Sequence, residues 1–299
     1  TYESMGKTFS TLLGAFVRDE ICQLYIYPTI PNVDICNAYF RITDKDVLRS
    51  YYKFKVSGKK IEPNIMQNQM FENSGDERLY RNPKNKKSSV MIARDLMWKY
   101  SKWYTDELRV WLEEQNPDCI FAAPGEAIFL YDIAMKVSRE LMIPIVSYLC
   151  DEYYFIEETG SFLRKIRLKM LKKKIEEYMN KTAHIITICD ELKDIYSSHF
   201  HRPMTTIMTG SSFPISSDIH GTDAPTSIIY LGNIRCNRYK SIVEIGKALV
   251  EINREDGTGY YINVYTSERD KQILDELESV ETVHLRGFVS GKEFDTILH

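Results

Sequence analysis

From Cys119 onward the chain alternates short apolar runs with longer stretches of helical periodicity. Cys119 to Ala123 reads as a buried strand, Ile128 to Leu141 as a helix, and Pro144 introduces a strand at Ile145 to Leu149. A helix from Phe162 to Met179, a strand from Ile185 to Ile188 and a helix from Glu191 to Phe200 continue the series. Strands separated by helices cannot pair through tight turns and need crossovers, so this spacing predicts parallel βαβ units. In such sheets ligands collect at the carboxyl ends of the strands, which is where Asp151 lies. Upstream, the pattern predicts a helix from Lys7 to Phe16 and a strand at Ile21 to Ile26. A polar loop follows between Phe71 and Ser89, then one long helix from Val90 to Glu114 that Asn116-Pro117 stops.

A length of 299 residues predicts two domains. The stretch GSSFPISSDIHGTDAPT (Gly210 to Thr226), rich in Ser, Gly, Pro and Asp, reads as the linker between a first domain (1–209) and a second (227–299). The second domain opens with SIIYLGNIRCNRYKS (Ser227 to Ser241). This reads as a buried strand, a loop carrying Gly232, Arg238 and Lys240, and an amphipathic helix from about Ile242. Such a unit can hold phosphate: glycine lets backbone approach, amides and helix dipole face the anion, and cations neutralise it. Both cations can equally be solvated loop residues. A second landmark, VHLRGFVSGKEF (Val283 to Phe294), is another strand ending in Gly287 and leading into a helix.

Composition removes several classes. With 43% hydrophobic and 27% charged residues the chain is of ordinary globular type, and a net charge of −3 argues against an electrostatic nucleic-acid binder. Cys22, Cys36, Cys119, Cys150, Cys189 and Cys236 are scattered without a CxxC pair, which fits reduced thiols in the cytoplasm. No signal peptide and no apolar run of bilayer-spanning length is visible. His184, His199, His201, His220, His284 and His299 show no metal-ligand spacing, so no metal is expected. Lys7-Thr8 after Gly6 resembles the tail of a P-loop, but the first glycine of the Gly-x4-Gly-Lys pattern is missing, which argues against an ATPase.

Together, SIIYLGNIRCNRYKS, VHLRGFVSGKEF and NPDCIFAAPGEAIFLYDIAMKVSRELMIPIVSYLCDEYYF resemble a GT-B glycosyltransferase of the large retaining family 4, of the kind that builds bacterial capsules and O-antigens. The resemblance implies two Rossmann-like parallel-sheet domains facing across a cleft, the second incomplete here. It also implies a nucleoside diphosphate sugar as donor substrate, no cofactor, and a glycan or polyprenyl-linked acceptor. Asn233 stands where the family usually has arginine, Ser241 where it has the glycine after lysine, and Cys150 where it has histidine. The diphosphate role therefore falls to Arg238 and Lys240, with Gly232, Asn233 and Gly287 beside it and Gly6 in a loop facing the phosphates. Asp151 and Glu152 are the candidates for positioning or deprotonating the acceptor hydroxyl, with Tyr153, Tyr154 and Phe155 as a stacking wall for a sugar. Alternatively Asp151 caps the next turn. The family's Glu-x7-Glu segment would come after VHLRGFVSGKEF, and nothing after Phe294 supplies it, so the resemblance implies a piece of a longer protein with little transferase activity of its own. Two rivals stand beside it: a UDP-sugar 2-epimerase of the same architecture, and a non-enzymatic two-domain binding protein.

The helix SFLRKIRLKMLKKKIEEYMNK carries apolar residues at helical spacing and many cations. It predicts one buried face and one cationic face over Arg164 to Lys174, able to rest on the anionic inner surface of the plasma membrane at about 1 kcal/mol per cation. A solvated surface helix is the plainer alternative.

Overall fold

The computed structural model describes residues 4–28, 35–53, 58–61, 87–210 and 227–289, with Glu293 and Ile297. They fall into two compact units, Thr1–Ser212 and Phe213–His299. Most of the polar loop between Phe71 and Ser89, and the linker residues 211–226, lie outside the described residues.

The first unit opens with α1 (Ser4–Leu12), then β1 (Cys22–Tyr25), β2 (Ala38–Arg41), α2 (Asp44–Lys53) and β3 (Lys59–Ile61). β1 and β2 pair in parallel, with Cys22 opposite Ala38, and β3 runs antiparallel on the other side of β2. The second half of the unit holds the predicted alternation: α3 (Ser88–Tyr100), α4 (Asp106–Gln115), β4 (Ile120–Ala122), α5 (Ile128–Leu141), β5 (Ile145–Leu149), α6 (Phe162–Lys181), β6 (His184–Thr187), α7 (Asp190–Ser197) and β7 (Met204–Thr206). These four strands form one all-parallel sheet in sequential order, β4-β5-β6-β7. Helices α5 and α6 cover it, burying Tyr131, Leu171, Ile175 and Tyr178 against Ile145 and Ile185. A neighbouring cluster joins Phe40 of β2 to Trp98, Trp111 and Phe129, with the Trp98 and Phe129 rings stacked at 4.6 Å.

The single helix expected over 90–114 is two helices. The chain extends at Ser101 (ψ 162°), buries Trp103, and restarts at Thr105, whose hydroxyl accepts the Leu108 N–H at 3.3 Å. Asp106 and Glu107 follow in the first turn, where the helix dipole favours carboxylates. That Thr-Asp-Glu run is a start signal inside an apolar periodicity that looks continuous. The region of β2 and α2 carries a similar signal. Thr43 and Asp46 cap α2 reciprocally, the Asp46 carboxylate accepting the Thr43 N–H at 2.9 Å and the Thr43 hydroxyl accepting the Asp46 N–H at 3.2 Å.

The second unit comprises β8 (Ser227–Leu231), α8 (Arg238–Asp256), β9 (Tyr261–Tyr265), α9 (Lys271–Glu278) and β10 (Val283–Gly287). Its sheet is all parallel, ordered β10-β9-β8, with Ile242, Val243 and Leu249 of α8 packed on Ile262 and Val264. Both units are thus α/β, and apart from the antiparallel β3 their strands pair in parallel. Among the described residues, no helix is long and apolar enough to cross a membrane.

Candidate functional site

In the second unit the two glycine landmarks meet. β8 ends at Leu231, and the Gly232 N–H donates to the Tyr265 carbonyl at 3.0 Å, while the Thr266 N–H donates to the Gly287 carbonyl at 2.9 Å. Gly232 and Gly287 therefore flank the carboxyl end of β9, the usual ligand edge of a parallel sheet. Their φ angles, +149° and +77°, favour glycine, and no described atom comes within 4 Å of where a Cβ would stand at either. Among the described residues, nothing fills the space beside these two strand ends.

The turn after Gly232 is tightly organised. The Asn233 side-chain oxygen accepts the Arg235 N–H at 2.8 Å, and its carbonyl accepts from Tyr230 Oη at 2.9 Å and from the Arg238 guanidinium at 3.4 Å. Asn233 is thus a turn-former. Cys236 and Asn237 are both left-handed (φ +59° and +64°), and the helix begins directly after them. This corrects two expectations. Arg238 and Lys240 sit on the first turn of α8, not in a loop before Ile242. The amides of that turn also do not all face outward: the N–H groups of Arg238, Tyr239 and Lys240 donate to the carbonyls of Arg235, Ile234 and Asn237. The physical reason is the left-handed pair, which folds the turn back under the helix start. The side chains of Arg238 and Lys240 are exposed at the N-terminal, positive end of the α8 dipole.

Sequence reasoning missed Arg235 and Glu268. The Arg235 guanidinium holds the Glu268 carboxylate through two hydrogen bonds, 2.7 and 3.3 Å. Hydrogen bonds from Arg235 and from the Arg269 and Asp270 amides hold that carboxyl down at about 2. Arg235 was visible inside GNIRCNRYKS, but Glu268 belongs to the loop after β9, which only sheet pairing brings alongside.

In the first unit, Asp151 follows β5 and is exposed, its carboxylate accepting from Tyr153 Oη at 3.1 Å. Burial, then the neighbouring Cys150 and Asp151, raises the Tyr153 phenol well above its ordinary value, so it stays a hydrogen-bond donor. Glu152 beside it has a different task. Its Oε1 accepts the N–H groups of Tyr154 (2.5 Å) and Phe155 (2.6 Å) and the Tyr196 hydroxyl of α7 (3.3 Å). Glu152 therefore clamps the turn, and adjacent carboxylates diverge. Tyr154 is buried and packs on Phe200 at 4.9 Å, so of the expected stacking wall Phe155 is the exposed ring. Tyr154 Oη also donates to Glu176 and lies 2.8 Å from His199 Nε2, a contact the sequence did not signal. Gly6 is not in a loop: it lies in α1, where its carbonyl accepts from Ser10 Oγ at 2.8 Å. That helix packs on the sheet through Phe9, against Phe121 and Tyr148. Among the described residues, no group of three His, Cys, Asp or Glu is placed to hold a metal ion.

The cations of α6 do not form one face. Five apolar side chains, Leu168, Leu171, Ile175, Tyr178 and Met179, are buried. At roughly 2 kcal/mol each their burial outweighs the placement of any surface cation and fixes the helix's rotation. Arg167 is consequently carried inside, and Lys174, 20% exposed, pairs with Asp132 and Glu177 at 2.7 Å each. Lys169 and Lys172 flank Glu158. The solvent stripe runs through Phe162, Lys165, Lys169 and Lys173.

No protein-family model and no curated protein matches the chain. Similar solved structures include a glycosylation-associated protein (Gap123) complex from Streptococcus agalactiae, at 10% identity and TM-score 0.39, covering 68% of this chain and 39% of that one. Another is Arabidopsis thaliana UGT89C1 complexed with UDP-L-rhamnose, at 15% identity and TM-score 0.37, covering 74% and 52%. A third is S. aureus MnaA with UDP, at 10% identity and TM-score 0.35, covering 72% and 55%. This chain spans between 39% and 55% of those three. A likeness of this degree carries no argument about function.

Proposed function

We propose that the chain belongs to a GT-B glycosyltransferase, retaining and family-4-like, moving a sugar from a nucleoside diphosphate sugar to a glycan or polyprenyl-linked acceptor. One observation carries the reading: Gly232 and Gly287 flank the end of β9 at the carboxyl edge of an all-parallel sheet, and the helix that follows Gly232 opens with Arg238, whose guanidinium reaches the Asn233 carbonyl, and Lys240. Breaking the bond between the anomeric carbon and the diphosphate oxygen leaves negative charge on the departing diphosphate. Arg238 and Lys240 stabilise that charge, which is larger in the transition state than in the donor. Asp151, oriented by the Tyr153 hydroxyl, positions the acceptor hydroxyl or takes its proton. Glu152 holds the turn that carries Asp151. Retention at the anomeric carbon follows from the family resemblance alone.

Calorimetric titration of the chain with UDP, GDP and ADP tests the donor site. Binding of one of the three is expected, weakened about tenfold by R238Q and by K240Q. Equal affinity of the wild type and the R238Q/K240Q double variant would discard the reading.

A further inference from the structure

The pairing of Arg235 with Glu268 is asymmetric. Glu268 is the fixed half: its side chain is 3% exposed and Oε1 also accepts the N–H groups of Arg269 (2.8 Å) and Asp270 (3.1 Å). Arg235 is the exposed half, 66% accessible to solvent, with its backbone N–H anchored by Asn233. Releasing the guanidinium leaves Oε1 bonded to two amides but takes from Oε2 its Arg235 Nε partner, so Glu268 opposes the release without losing all its donors. Water and salt reach the exposed guanidinium and screen part of that cost. Arg235 follows Gly232 by three positions in the segment that leads to Arg238 and Lys240, and its partner Glu268 lies in the loop after β9, whose end Gly232 flanks. A carboxylate and a phosphate offer arginine the same two-pronged acceptor.

We propose that Glu268 is a resident competitor for Arg235, holding the guanidinium until a diphosphate on the Gly232 turn takes it over. Arg235 is then a third ligand-binding cation, and Glu268 sets the affinity by opposing the transfer. This rests on the diphosphate reading of the same site. It predicts that anion binding breaks one ion pair as it makes another.

The test is titration of the chain with inorganic pyrophosphate, using R235Q, E268Q and the R235Q/E268Q double variant. R235Q is expected to weaken binding about fivefold and E268Q to tighten it about fivefold, and the double variant is expected to match R235Q within about twofold. An equal gain from E268Q in the R235Q background would mean simple removal of a negative charge, and would overturn the proposal. So would unchanged or weaker binding by E268Q. The Arg235 Nε–H resonance of the wild type gives a readout that needs no variant to fold: it should shift on adding pyrophosphate, and an unmoved resonance in a protein that binds overturns the exchange. Absence of binding to pyrophosphate and to every nucleoside diphosphate would instead bring down the diphosphate reading, and this proposal with it.

Discussion

Asp95 of α3 and Arg167 of α6 lie 3.6 Å apart with side chains 3% and 7% exposed, a buried charge pair joining two helices. Arg167 also donates to the Glu126 carbonyl, just ahead of α5, at 2.5 Å. Burial raises the Asp95 carboxyl to about 6, against the opposing pull of Arg167 and of the Phe129 amide. Its folded value lies above the unfolded one, so the contribution to stability is complete below 3.8 and is lost as pH rises through about 6. Between about pH 4 and pH 7 the wild type should lose on the order of 3 kcal/mol from this group. Urea unfolding across that range should show a slope that D95N lacks. R167M, which strands the carboxylate, should cost about 3 to 5 kcal/mol at neutral pH.

Asp151 and Glu152 should separate cleanly by stability. E152A removes the acceptor of two backbone amides and the Tyr196 hydroxyl, and should cost about 1 to 3 kcal/mol. D151N, exposed and bonded to one phenol, should stay within about 0.5 kcal/mol of wild type. Chemical denaturation of both variants checks this, and equal losses would contradict the division of roles.

Gly246 of α8 is where the helix meets the strand β10. A Cβ there would stand 2.5 Å from Val283 Cγ2 and 3.0 Å from Val280 Cγ1, and its carbonyl already accepts from Thr282 Oγ1 at 2.7 Å. Alanine in a helix ordinarily gains about 1 kcal/mol over glycine. Overpacking costs about 1 to 3 kcal/mol, so G246A should be a net loss, read as a lower urea midpoint with unchanged m-value.

The lysines of α6 should likewise divide. K174Q breaks pairs to Asp132 and Glu177 and should cost about 1 kcal/mol, whereas K173Q should cost nothing measurable. Any attraction to acidic liposomes belongs to the outward stripe. The triple variant K165Q/K169Q/K173Q should therefore bind such vesicles less than wild type at low salt, with the difference vanishing as salt rises. Equal vesicle binding by the two proteins would leave α6 a solvated surface helix.

What the sequence alone determined here is what local periodicity and backbone chemistry control. The strand and helix alternation from Cys119 to Phe200 and the bounds of α5 and β5 were legible because burial imposes a period on apolar residues. The glycines at 232 and 287 were legible because their backbone angles suit few other residues. Only the tertiary structure decided the partners of charged side chains. Arg235 finds Glu268 across 33 positions, and Glu152 finds Tyr196 across 44, because parallel strands set side by side loops that are remote in sequence. It likewise turned Arg167 inward and left Lys173 in water, since the summed burial of an apolar stripe orients a helix and each charge must then pair or be solvated where that orientation leaves it.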